Sequence, residues 1–176
     1  MADPKPFTLV KLVCGIISSA PAAAAEAERR LAALYGAVDL RSPAFSFDLT
    51  DYYEAEMGPR LERRFLSFAE LIRPEALAGI KLRTNALEEE IRHDSGSALR
   101  VVNLDPGYVT AAALIMATAK DFAHRIPLRE GIYAHLEFLF SRTGVKILDW
   151  TYPDLRGEGY REFFRDVRTR YLKQRA

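Results

Sequence analysis

The sequence predicts an α+β fold: a single mixed, largely antiparallel sheet with about three helices packed on it, in one domain over residues 1–176. Three observations lead there. Residues 7–17 form a nearly unbroken apolar run rich in β-branched side chains, as expected of a strand covered on both faces. Three stretches, opening at Pro21, at Pro74 and near Tyr160, repeat apolar residues at helical spacing. Between the last two, turn residues cut the chain into the short pieces that antiparallel hairpins require.

Taken in order, residues 7–17 give a central strand. Their length suits a signal-peptide core, but Lys11 interrupts them and they flow into a helical pattern. Ser18 and Ser19 offer N-cap oxygens and Pro21 suits a first helical turn; Ala24, Ala27, Leu31, Leu34 and Tyr35 then repeat until Gly36 ends the helix. Residues 44–53 alternate, with Phe45, Phe47 and Leu49 against Ser46, Asp48, Thr50 and Tyr52, which predicts a half-buried strand. A turn near Met57, Gly58 and Pro59 returns the chain as a hairpin strand over residues 63–68.

Pro74 opens a helix whose stripe is Leu77, Ile80, Thr84, Leu87 and Ile91, with Lys81, Asn85 and Glu88 along its flank. Residues 99–104 read as the next strand, ending in a tight turn at Asp105, Pro106 and Gly107. The opening order is therefore βαββαβ, resembling a ferredoxin-like module. Strands follow over residues 114–119, 123–128, 132–140 and 145–150, with turns at 129–131 and 142–144; Pro127 marks an edge. A final helix carries Tyr160, Phe163, Phe164, Val167 and Tyr171 on one stripe and Arg161, Arg165 and Arg168 beside it.

Composition narrows the function classes. With 25 basic and 24 acidic residues, no bulk field draws the protein to nucleic acid or an anionic membrane. The single Cys14 rules out a disulfide within the chain and fits a reducing compartment. No apolar stretch reaches the ~18 residues that span a bilayer, so a soluble cytoplasmic protein is expected.

Five ordered phrases, FDLTDYYEAEMG (47–58), GIKLRTNALEEE (79–90), VNLDPGYVT (102–110), TAKDFAHRIPLREGIYAHL (118–136) and DWTYPDLR (149–156), carry a family resemblance. Together they resemble an uncharacterised bacterial family, the domain of unknown function numbered 4416, over nearly the whole chain. Members are often labelled GTP-binding proteins, and the resemblance implies a nucleotide ligand without implying a reaction. The chain has neither the G-x-x-x-x-G-K-[ST] loop that cradles phosphates nor an N-K-x-D string, so a nucleotide would need another kind of site.

Several constellations carry chemistry. Asp48 and Asp51, beside Tyr52, present hard oxygens suited to magnesium, or else a solvated strand face. Lys81, Arg83 and Asn85 offer donors to an anion, or else surface salt bridges. Asn103 and Asp105 stand at a strand end that either aims Asp105 into a crevice or is a plain turn. Lys120 and Arg125 flank His124, the best general acid or base, unless this is a charged edge strand. Trp150, Tyr152, Pro153 and Asp154 form an aromatic wall or a core plug.

The leading expectation is a domain that binds a phosphorylated small molecule or nucleotide, with Lys81, Arg83, Asn85, Asn103, Lys120, Arg125 and Tyr52 as ligand contacts and Asp48 and Asp51 as metal contacts. Its rivals are a metal-assisted phosphoester hydrolase or transferase using His124 and Asp105, and a noncatalytic interaction protein docking through residues 160–173.

Overall fold

The computed structural model describes residues 3–48, 53–142 and 144–175, with Ala55 described in its backbone only. Among the described residues nine strands form one sheet: β1 Val10–Ser18, β2 Val38–Arg41, β3 Phe45–Ser46, β4 Glu62–Ile72, β5 Asn103–Val109, β6 Ala113–Thr118, β7 Ile126–Arg129, β8 Ile132–Phe140 and β9 Val145–Ile147. Their order is β2-β4-β1-β5-β6-β8-β7, with β3 beside β4 and β9 beside β8. Every pairing between the described strands is antiparallel, so the sheet is not mixed.

Three long helices, α1 Pro21–Tyr35, α3 Leu77–Asp94 and α4 Glu158–Arg175, join a single turn, α2 Glu54–Met57. Alternate residues of the central strands sort them to opposite faces. Leu12, Cys14 and Ile16 of β1 pack with Leu31 of α1 and Ile80, Leu87 and Ile91 of α3. Val13, with Phe65 of β4 and Phe138 of β8, packs instead against Phe163, Phe164 and Val167 of α4. All nine residues of β1 are buried, which is why its sequence shows no polar alternation. Among the described residues no helix is long and apolar enough to cross a membrane.

Five expectations are corrected. The opening order gains a strand, β2, and the helical turn α2, so it is not βαββαβ. The strand expected over 44–53 is only Phe45–Ser46 within the described residues, although it pairs with β4 as the hairpin required. No serine side chain caps α1; Ala20 is the N-cap residue, and Ser18 Oγ takes the Ala20 N–H instead. The expected strands at 123–128 and 145–150 shorten to β7 and β9, leaving residues 119–125 and 148–153 as loops beside the crevice described below.

The most consequential correction is at Asp105, Pro106 and Gly107, which lie inside β5 rather than in a turn. Pro106 pairs with Cys14 of β1. Gly107 is needed for close approach: a Cβ there would meet the Ile115 carbonyl at 2.5 Å.

Candidate functional site

The ladder between β5 and β6 runs from Val109↔Leu114 to Gly107↔Met116 and stops; Asn103 to Pro106 pair with β1 alone. Proline explains the stop. Along a strand every second residue turns its N–H and C=O to the same side. Leu104 and Pro106 share a side, and Pro106 has no N–H to offer a neighbour there. The Leu104 groups are satisfied from α3: Lys81 Nζ donates to its carbonyl at 2.6 Å, and its N–H donates to Glu88 Oε1 at 2.7 Å. Two side chains of α3 thus replace the backbone of a neighbouring strand, and the sheet opens beside them.

Two cavities occupy this opening. The first, of about 330 Å³, is polar and is lined by Lys81, Asn85, Glu88, Arg92, Arg100, Asn103, Asp105, Thr118 and Lys120 together with Tyr53. The second, of about 430 Å³, carries aromatic and apolar walls from Ile17, Phe47, Tyr53, Tyr152 and Pro153, and polar ones from Arg63, Arg125 and Asp154. Tyr53, Asp105, Thr118 and Lys120 line both, so the cavities are two lobes of one crevice.

Arg63 is the buried pivot. Its Nη1 donates to Asp154 Oδ2 at 2.6 Å and its Nη2 to Asp105 Oδ2 at 3.1 Å, while its guanidinium lies 4.7 Å from the Phe65 ring centre. Burial alone would discharge it, but Asp154 and Asp105 outweigh burial and raise its pKa. Burial likewise works against the charge on Asp105; Lys81, 3.7 Å away, and Arg63 prevail and hold its pKa below the usual carboxylate range. Glu88 goes the other way: burial pushes it up to about 7, against the opposing pull of Lys81 and the Leu104 N–H. Asn103 is 5% exposed; its Oδ1 accepts from Arg100 at 3.3 Å, while its Nδ2 helps to lower the pKa of Asp105 without making a hydrogen bond of full geometry. A buried donor so incompletely satisfied is available to a better-placed acceptor.

Residues 8–171, which contain the whole crevice, match the family described as Domain of unknown function (DUF4416). The chain belongs to this family. Neither the curated proteins nor the solved structures contain a match to it.

In this DUF4416 chain the residues singled out from sequence divide into two groups. Lys81, Asn85, Asn103, Asp105 and Lys120 come together on the first lobe, and Arg125 reaches the second, donating to the Lys120 carbonyl at 2.7 Å. Arg83 pairs with Glu90 at 2.6 Å on the outer face of α3, away from the crevice. His124 is not among the residues lining either lobe; its ring stacks on Trp150 at 5.2 Å and 11°. Burial and Arg125 together lower its pKa. Asp48 accepts a hydrogen bond from Ser46 Oγ at 2.9 Å and lines neither lobe. Asp51 and Tyr52 lie outside the described residues. Among the described residues no group of three or more His, Cys, Asp or Glu side chains is placed to hold a metal ion.

Sequence reasoning passed over Arg63, Arg100 and a buried pair on β8. His135 Nε2 and Glu137 Oε1 are 3.2 Å apart, both side chains are 0% exposed, and neither atom makes a hydrogen bond. Arg63 had one available signal: it stands two residues before Phe65, which puts the two side chains on the same face of β4. The DUF4416 helix α4 directs its aromatic stripe into the core, so only its arginine-bearing side faces outward. There Arg165 pairs with Glu158 at 2.9 Å and Arg168 donates to the Ala111 carbonyl at 2.7 Å.

Proposed function

We propose that this DUF4416 domain binds a phosphorylated small molecule or nucleotide across the two lobes, its phosphate in the polar lobe and its ring in the aromatic one. The observation that carries this reading is the shared wall of Tyr53, Asp105, Thr118 and Lys120, which joins a cation-rich cavity to an aromatic-walled one. Arg92, Arg100 and Lys120, with the Asn85 and Asn103 amides, suit phosphate oxygens; Tyr53 and Tyr152 suit a planar ring. Asp105, a carboxylate on the shared wall, suits the hydroxyls between them. In this reading β1, α1, β2, β4, α3 and β5 act as a ferredoxin-like half to which β6–β9 are added, so the ligand lies at the seam.

Hydrolysis of a phosphoester by His124 and Asp105 would need both on one cavity, and His124 is stacked on Trp150 instead. Thermal shift and calorimetry with nucleotides and sugar phosphates, with and without magnesium, test the proposal. Stabilisation by a phosphorylated compound that weakens in Lys120→Ala is expected. No binding across the panel would discard it.

A further inference from the structure

The charges around the polar lobe select among anions. Among the described residues, four cationic side chains, Lys81, Arg92, Arg100 and Lys120, face three carboxylates, Glu88, Glu89 and Asp105. Two of those acids are closely compensated. Asp105 has Arg63 at 3.1 Å and Lys81 at 3.7 Å, and the exposed Glu89 is paired with Arg92. Glu88 is compensated less directly: Lys81 acts on it without an ion-pair contact, and its Oε2 lies 3.6 Å from Arg100, which also serves Glu56 at 3.7 Å and the Asn103 amide oxygen. An anion placed among these groups adds repulsion to every carboxylate. The buried acid with the weakest compensation is the one that neutralises.

We propose, resting on the anion-binding reading above, that the polar lobe takes a phosphomonoester dianion and that Glu88 takes up a proton from solvent as it binds. With Glu88 neutral, the described lining cations exceed the described carboxylates by two, the charge of a phosphomonoester; a phosphodiester carries only one. The protonated acid keeps Oε1 for the Leu104 N–H and gains an O–H donor for a phosphate oxygen, which a carboxylate would repel. The Asn103 Nδ2, held only weakly by Asp105, supplies a second donor. The proton is within reach at neutral pH, because burial already pushes Glu88 up to about 7.

Phenyl phosphate, which has a dianion at one end and a ring at the other, is the probe. Calorimetry of the full chain at about pH 8, in two buffers of different ionisation enthalpy, should show uptake of about half a proton or more per ligand. Glu88→Gln, which keeps an acceptor for Leu104, should abolish the uptake while retaining binding. Methyl phenyl phosphate, the monoanionic diester, should bind at least about tenfold more weakly, the scale of one mismatched charge.

Phenyl phosphate binding with equal heats in both buffers, or uptake that persists in Glu88→Gln, would overturn the inference and leave the binding reading intact. Absence of binding by every phosphate compound would overturn both. If the variant does not fold, wild-type affinity decides: it should fall steadily between about pH 7 and 9, as Glu88 loses the proton that binding requires, and a flat profile would refute the proposal.

Discussion

Lys11 of β1 and Lys81 of α3 are both buried lysines, at 0% and 6% exposure, but they end in different surroundings. The three N–H donors of Lys11 have three acceptors, Asp39 at 2.7 Å, the Phe68 carbonyl at 2.7 Å and Gln174 at 2.8 Å, and Ser67 holds the second Asp39 oxygen. That cluster is closed: it ties β1, β2, β4 and the end of α4 together and leaves no atom waiting. Lys81 has the Leu104 carbonyl, Asp105 at a longer 3.7 Å, and a cavity. Its neighbours include an acid shifted toward neutrality and an amide donor that is incompletely satisfied. Buried charge alone therefore marks structure as readily as function. Incomplete satisfaction beside open space distinguishes the second cluster.

The largest expected effect sharpens this contrast. Lys11→Ala leaves Asp39 without its cation and should cost about 3 kcal/mol in urea unfolding, as breaking a buried pair does. Lys81→Ala should cost only about 1 kcal/mol, because Arg63 still holds Asp105 and water can enter from the cavity. Equal losses at the two sites would erase the distinction.

The buried His135–Glu137 pair is an intermediate case, unsatisfied but lining neither lobe. Burial pushes Glu137 up to about 8 and His135 down to about 4. Folded Glu137 keeps a proton that the unfolded chain gives up near its ordinary pKa, so its contribution is complete in acid and is lost as pH rises toward 8. Folded His135 refuses a proton that the unfolded chain accepts, so its contribution is lost as pH falls from its ordinary value toward 4. The two slopes oppose each other in mild acid and leave a net decline between about pH 6.5 and 8. In Glu137→Gln, measured by denaturation across that window, the decline should shrink by on the order of 1 kcal/mol. Phosphate affinity should stay as in the wild type.

The smallest effect on stability belongs to Lys120→Ala. The residue is exposed, and its loss should move stability by no more than about 0.5 kcal/mol. Affinity for a phosphorylated ligand should nevertheless drop about tenfold, the worth of roughly 1.4 kcal/mol at one anion contact. A large stability loss with unchanged affinity would make it one more structural cation.

How much of this was legible in advance depends on the range of the signal. The stripes of α3 and α4 were readable residue by residue because each helix repeats its own period, and all five stripe positions on each are buried. The hairpin turn at Glu130 and Gly131, both at positive φ, was readable for the same local reason. The Asp105, Pro106 and Gly107 segment was misread because its local chemistry is that of a turn. Only its neighbours show otherwise: Cys14 of β1 on one side, and the end of the β6 ladder on the other.

The sequence by itself determined the α+β class, the central strand, the three long helices and the polar flank of α3, since periodicity, caps and turn residues act over a few positions. Only the tertiary structure decided that Lys81, Asn85, Asn103, Asp105 and Lys120 would meet while Arg83, Asp48 and His124 would not. It also decided that Arg63, silent in the sequence, would lie at the centre. Convergence of side chains from α3, β4, β5 and the loop after β6 depends on how a proline stops one ladder and two helix side chains complete another, and no local pattern encodes a contact made across a sheet.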